Sequence, residues 1–529
     1  MSKFNTSAKG SARSAVSSPI STERTPSGRT HEGAPGYARD AKSELFLLAV
    51  SNMVGEDTFY EKAGDRDERF RTLVHRVAVE DGAWMARFLP WLRGVANMRT
   101  APIVAALESV RARLDAGRHG LNRQLVDSVL QRADEPGEAL AYWMARYGRA
   151  VPKPVKRGIA DAVRRLYGER SLLKYDGDAR GFRFGDVIDL VHPAPAADKP
   201  WQGELFTHAL DRGHDRDKPI PEALTTLRAR AELTALPVGE RRAVLADPGR
   251  LAAAGMTWEA LAGWLQGPMD ARAWEAVIPS MGYMALLRNL RNLDGAGISD
   301  EVAARVAAKL ADPGEVARSR QLPFRFYSAH RTAPSQRWGH ALDRALTLAT
   351  GNVPSFGGRT LVLVDTSASM SSGGISARST VTPVQAAALF GVALTARGER
   401  VDLYGFADGV FRHRIGRGAS VLKEVERFCA RIGEVGHGTQ IADSVRRTYA
   451  GHDRVVILSD MQTMSGYHGG GVTDAVPAHV PMYGFNLQGY RNAAMPTGSG
   501  NRHEFGGFSD ATFRMIPLLE TGTGAGWPF

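Results

Sequence analysis

Apolar residues recur three and four positions apart through most of the first 350 residues, and the rhythm then changes. After Pro102, the residues Ile103, Val104, Leu107, Val110 and Leu114 fall on one helical stripe, while Arg111 and Arg113 fall elsewhere. Leu125, Val126, Val129 and Leu130 repeat the pattern. In the run MGYMALLRNLRNL, Met284, Leu287 and Leu290 line one side and leave Arg288, Asn289, Arg291 and Asn292 to the other. Asp115-Ala116-Gly117 and Asp312-Pro313-Gly314 read as helix ends, because Gly and Pro stop helices through backbone constraints. From Ala41 to about Leu348 this predicts helices packed on helices, as in a solenoid of helical pairs, although no motif of fixed period repeats.

The texture shifts at the turn-rich junction 351–358. Beyond it, short apolar runs at 361–364, 401–406, 455–458 and 482–485 alternate with helical patterns at 384–397 and 421–432. That alternation predicts βαβ units and a parallel sheet covered on both faces, a doubly wound α/β fold. The expected organisation is therefore a tail over 1–36, a helical domain over 37–352 and an α/β domain over 353–529. Residues 1–36, rich in Ser, Thr, Gly, Pro and Arg, offer little to bury and are expected to be a solvated, flexible tail.

An apolar fraction of 43% in 529 residues is enough for two folded cores. The net charge of +11 favours an anionic partner, and its distribution is uneven. Residues 351–529 hold 16 Lys and Arg against 14 Asp and Glu, so +9 of the total lies in residues 1–350. The single cysteine, Cys429, rules out an intrachain disulfide framework and reads as a small buried apolar residue. No apolar run is long enough to span a membrane, and the first 21 residues lack the apolar stretch of a secretory signal, so a cytoplasmic location is expected.

The most specific motif is Asp365-Thr366-Ser367-Ala368-Ser369, placed directly after an apolar strand, where doubly wound sheets bind ligands. One carboxylate and two hydroxyls supply hard oxygen ligands, which suit Mg²⁺ or another hard divalent cation. Later loops offer Thr439 and Asp460. Alone, the motif also fits a polar loop capping the next helix. With its strand context and both later loops in order, it resembles the metal-ion-dependent adhesion site of von Willebrand factor A domains. That resemblance implies Asp365, Ser367, Ser369, Thr439 and Asp460 as ligands, with one position open to a partner's acidic group. The family usually has Asp after the Thr, and this chain has Gln440.

The helical half carries a second resemblance. Gly158-Ile159-Ala160-Asp161, the run 186–193 (DVIDLVHP), the run 285–290 (ALLRNL) and Leu322-Pro323-Phe324 precede the metal motif in an order similar to that of the Ro family, whose RNA-binding region is the TROVE module. The resemblance spans about residue 37 to the C-terminus and implies a ring of HEAT-like helical repeats followed by the von Willebrand factor A-like domain. It implies a non-catalytic RNA-binding scaffold for RNA quality control. Single-stranded 3′ ends of defective noncoding RNA would enter the ring hole, and Y-like RNA would lie on the outer surface. An exoribonuclease or another protein would be a partner, and neither DNA nor a membrane would be. Candidate contacts are His192, which matches a family histidine; Lys174, Arg180 and Arg183 in the stretch before it; the basic run Lys153, Lys156, Arg157, Arg164 and Arg165; and Arg288, Asn289 and Arg291. Clustered cations of this kind neutralise phosphates with little sequence preference, although a charge run on a helix is commonly just a solvated face.

Two other classes compete. One is a protein-interaction scaffold that binds acidic groups through the metal, its basic charge incidental. The other is an enzyme, and the sequence argues against it: it has no G-x-S-x-G elbow, no phosphate-binding G-x-x-x-x-G-K-[ST] loop, no H-E-x-x-H and no zinc-spaced Cys/His set. A two-metal nuclease would also need more converging carboxylates than this motif supplies.

Overall fold

A computed structural model describes residues 17–529 apart from 52–53, 178–180, 334, 377–378, 417, 467–470 and 522–525. The described residues divide into two compact units, one within 67–349 and the other within 17–66 together with 350–529.

Among the described residues, the 67–349 unit is built of helices alone. Gly82–Gly94, Thr100–Asp115, Asn122–Val129, Glu135–Tyr147, Lys153–Leu166, Phe184–Val191 and Gln202–Gly213 form a first series, each packed on a helix one or two places along it. A second series continues through Thr225–Thr234, Pro248–Ala253, Ala271–Val277, Tyr283–Gly295, Asp300–Leu310 and Gln336–Ala349. Side-chain caps start several helices of this unit, among them Trp258–Leu265 and Pro313–Ser319: Asp81, Thr257, Asp270, Ser299 and Asp312 each accept from a backbone N–H of the first turn. Close packing sets the spacing of neighbours. At Gly158 a Cβ would come within 2.7 Å of Val126, so only glycine lets Lys153–Leu166 approach Asn122–Val129 this closely. Gly185 plays the same part against the Ala209 carbonyl, which a Cβ would meet at 2.6 Å. Arg320 donates to Gln131 at 2.6 Å across 189 positions, bringing late and early helical segments within hydrogen-bond reach.

The other unit carries a six-stranded sheet. Its strands are β3 (Arg359–Asp365), β4 (Arg400–Phe406), β5 (Val410–His413), β6 (Arg454–Ser459), β7 (Met482–Asn486) and β9 (Arg502–Gly506), in the order β5-β4-β3-β6-β7-β9. All pairings are parallel except β4 with β5. The expected runs at 361–364, 401–406, 455–458 and 482–485 are all strands, and β5 and β9 add to them. The antiparallel edge arises because the tight turn at Asp408, closed by Ala407 N–H donating to the Gly409 carbonyl, folds the chain straight back on β4. Leu361 to Val364 are fully buried, with Pro383–Arg397 packed on β3 and β4. Because β4 lies on one side of β3 and β6 on the other, the strand order reverses between β3 and β6, and the carboxyl ends there form a crevice.

Two expectations need correction. Residues 17–36 are not a solvated tail: β1 (Gly28–Arg29) and β2 (Pro35–Ala38) form a small sheet with β8 (Asn492–Ala493), and Ile20 is buried. Nor do residues 37–66 join the helical domain. The helix Ala41–Ser51 is apolar on nearly every side, and Phe46 to Val50 are buried in the α/β unit, along β9 and the glycines at 489, 506 and 507. Arg39 clamps this segment down, donating to both oxygens of Glu504 at 2.9 and 2.6 Å with both side chains fully buried. Composition misleads here because the few apolar and charged residues of the segment are satisfied by a surface some 450 positions away along the chain. No described helix is long and apolar enough to cross a membrane.

Candidate functional site

Asp365 is the last residue of β3, and its carboxylate is fixed twice. One oxygen accepts from the Ser367 N–H at 2.9 Å, and the other accepts from the Ser459 hydroxyl at 2.5 Å. The chain then turns into the short helix Ala368–Ser371, which sets the Ser367 and Ser369 hydroxyls 3.2 Å apart. Thr439 is buried in a loop that Asp408 holds by accepting from the N–H groups of His437 and Gly438, at 2.9 and 3.1 Å. The His437 carbonyl in turn accepts from the Ala368 N–H, tying that loop to the serine loop. Asp460 follows β6 and is fully buried; one oxygen accepts from the Gln462 N–H at 3.0 Å, and the other has no partner. The structure thus gathers all five sequence-derived candidates from three loops at the carboxyl ends of β3 and β6.

The electrostatics of this crevice are those of a site that wants a cation. Burial pushes both Asp365 and Asp460 well above the usual carboxylate range, and the charge of Asp365 pushes Asp460 higher still. Gln440, next to Thr439 in sequence, is buried; its amide donates to the Met464 sulfur at 3.3 Å, and its carbonyl oxygen has no partner. Two orphaned buried oxygens, on Asp460 and Gln440, together with three hydroxyls, fit a hydrated hard cation. Among the described residues no group of three or more His, Cys, Asp or Glu is close enough to hold a metal, so hydroxyls must supply part of any coordination. Ser459, Asp408 and Gln462 were not singled out from the sequence. Only the adjacency of Ser459 to Asp460 carried a signal, since the other two act through backbone geometry.

The basic candidates scatter more widely. Lys153, Arg157 and Arg164 are exposed and Lys156 half-buried along one stripe of Lys153–Leu166, opposite the buried Val155, Ile159 and Ala162. Arg165, by contrast, is engaged with Asp127 at 2.6 Å and the Leu130 carbonyl at 2.7 Å. Lys174 is exposed, its ammonium 5.2 Å from the Tyr175 ring centroid. Arg183 is half-buried 3.9 Å from Asp176, and Arg180 lies outside the described residues. His192 is exposed and left-handed, ending the helix Phe184–Val191. Arg288 and Arg291 are exposed on Tyr283–Gly295. Asn289, expected on the same polar face, is instead buried, with its amide donating to the Ala285 carbonyl at 2.8 Å. A small side chain that bonds its own helix carries no desolvation penalty on the inner face.

Residues 254–355 match the TROVE domain family. The chain is 24% identical over 397 residues to the RNA-binding protein RO60 of Deinococcus radiodurans, covering 69% of this chain and 71% of that protein. Its fold is similar to the crystal structure of the Deinococcus radiodurans RO (RSR) protein, with a TM-score of 0.61 at 19% identity over 91% of this chain and all of the other. These likenesses are to a binding protein rather than to an enzyme class.

Proposed function

From a chain that is Ro-like in sequence and fold, we propose a cytoplasmic RNA-binding scaffold whose helical unit takes noncoding RNA and whose α/β unit holds a divalent cation. The observation that carries the RNA reading is the basic stripe of Lys153, Lys156, Arg157 and Arg164 on a Ro-like helical unit, which holds +8 of the chain's net +11. Such a stripe neutralises successive phosphates and releases counterions, giving affinity that depends on salt more than on sequence. Lys174 over Tyr175 and the exposed His192 add flat or cationic groups suited to unpaired bases. The RNA class we favour is structured noncoding RNA with a single-stranded 3′ end, as in defective transcripts, with Y-like RNA on the outer surface and an exoribonuclease as a working partner.

Filter binding of a hairpin RNA with a single-stranded 3′ tail tests this. Binding should weaken steeply as salt rises, and an absence of binding at low salt would remove the RNA reading. The RNA should stay intact in Mg²⁺. In the α/β unit, Asp365, Ser367, Ser369, Thr439 and Asp460 would hold Mg²⁺, and the ion would supply a Lewis-acidic anchor for a carboxylate. The orphaned oxygen of Asp460 favours the second reading, a scaffold that recruits an acidic protein group through this ion, and the two activities are compatible in one chain.

A further inference from the structure

In the helical unit, Glu108 of Thr100–Asp115 is fully buried, yet its carboxylate meets side chains from two other helices. Tyr142 and Tyr147, both of Glu135–Tyr147, donate their hydroxyls to its two oxygens, each at 2.6 Å. His75 of Ala63–Glu80 lies 2.5 Å from the oxygen that Tyr147 uses. Burying a carboxylate costs desolvation, which these hydrogen bonds offset, and they fix two phenol rings in place.

Tyr147 is the last residue of its helix, which ends where Gly148 takes φ +77°. Its hydroxyl is anchored inward on Glu108, and its ring leans on the fully buried Trp143, with centroids 5.0 Å apart and planes tilted by 52°. Trp143 donates its indole N–H to the Ala150 carbonyl at 3.2 Å, which holds the turn after the helix. Even so, Tyr147 stays half-buried rather than enclosed, and two guanidiniums attend its ring. Those of Arg111 and Arg146 lie 5.2 and 5.8 Å from its centroid. Arg111 pairs with Asp115 at 2.8 Å, and Arg146 approaches Glu108 at 3.4 Å and Glu68 at 3.7 Å. The Asp115 and Glu68 side chains are more than half exposed, so water screens their pairs and a guanidinium that turns to a phosphate loses little. A phenol that served only to satisfy Glu108 would need neither cation. A rigid, partly open ring between cations has the make-up of a base-stacking platform: stacking tolerates any base, and a ring already fixed pays little entropy when it binds.

We propose that Tyr147, with Arg111 and Arg146, is a stacking site for one unpaired base of single-stranded RNA, the two guanidiniums taking phosphates beside it. The inference rests on the RNA reading above and adds residues on helices other than the one that carries the basic stripe.

Fluorescence anisotropy of the full-length protein with an oligouridylate of roughly ten nucleotides, and with a blunt-ended RNA hairpin, tests it across a range of salt concentrations. The wild type should bind both. Tyr147→Ala should bind the oligouridylate about tenfold more weakly at every salt concentration, with the slope of log affinity against log salt unchanged, because stacking releases no counterions. Its affinity for the hairpin, which has no unpaired end, should stay within about twofold, and Tyr147→Phe, which keeps the ring, should stay within about twofold on both. Replacing Arg111 and Arg146 together by Gln should lower the slope instead. In the unmodified protein, photocross-linking to an iodouracil-containing oligonucleotide should place an adduct on Tyr147 by mass spectrometry, a readout that does not depend on any variant folding. Equal losses of Tyr147→Ala on both RNAs, no loss on the oligouridylate, or adducts confined to other residues would overturn the stacking site alone. A wild type that binds neither RNA would instead overturn the RNA reading.

Discussion

Glu108 shows how single buried charges set the behaviour of the helical unit. Its side chain is fully buried, and it accepts from the Tyr142 and Tyr147 hydroxyls, each at 2.6 Å, beside His75 at 2.5 Å. Burial alone would raise the carboxyl, yet these hydrogen bonds, led by His75, hold it at about 2. Because the folded value lies below the unfolded one, the stabilisation is fully present above about pH 4.5 and is lost as pH falls toward 2. The loss is about 3 kcal/mol. Urea midpoints measured between pH 6 and pH 3 should therefore fall less in Glu108→Gln than in the wild type; parallel curves would assign the acid sensitivity elsewhere. At the carboxyl end of β3 the same scale of argument applies to Asp365. Asp365→Ala should remove any Mg²⁺-dependent rise in melting temperature, while RNA affinity stays within about twofold, a change of less than about 0.5 kcal/mol. An equal loss of RNA affinity would mean that the site shapes the RNA surface.

Elements turn such residues into surfaces. In Lys153–Leu166 the three- and four-residue spacing places Lys153, Lys156, Arg157 and Arg164 on one side, because Val155, Gly158, Ile159, Ala162 and Val163 are committed to packing on the other. Reversing charge at Lys153, Arg157 and Arg164 together should lower affinity for unrelated RNAs alike and reduce the slope of log affinity against log salt by roughly 0.7 to 0.9 for each phosphate that is no longer neutralised. An unchanged slope would take this helix out of the interface, and charge reversal at Lys174 and Arg183 then becomes the next test. Tyr283–Gly295 shows the limit of reading faces from spacing alone. Arg288 and Arg291 are outward, but Asn289 is buried because its amide is satisfied within its own helix.

At the scale of the whole molecule, the second unit is assembled from both ends of the chain. Arg39 and Glu504 form a fully buried pair, and Arg39 also donates to the carbonyls of Tyr490 and Arg491 at 2.6 and 2.8 Å. Removing one partner of such a pair leaves an uncompensated buried charge, at a cost of about 3–5 kcal/mol. Arg39→Met, which leaves Glu504 buried without its partner, should therefore melt several degrees lower, and a protein lacking residues 1–40, which loses the packing of the segment as well, should also melt lower and expose the α/β unit to protease. Unchanged melting in the truncated protein would show that the N-terminal segment is dispensable to the fold.

The sequence by itself determined the change from helical to strand-and-helix rhythm near residue 351 and the identity of four sheet strands, and the family resemblance singled out the five oxygen-bearing candidates of the crevice. These depend on local periodicity and on the position of short motifs at strand ends, which neighbours in the chain encode. Tertiary structure alone decided that residues 17–66 belong with the α/β unit, that β5 returns antiparallel, that Asn289 faces inward and that the β1–β2 turn is fastened to Gln462 and Thr463. Each of these depends on which distant surface satisfies a side chain. The burial of Arg39 is favourable only because Glu504 waits for it, and the sequence around Arg39 carries no trace of that partner.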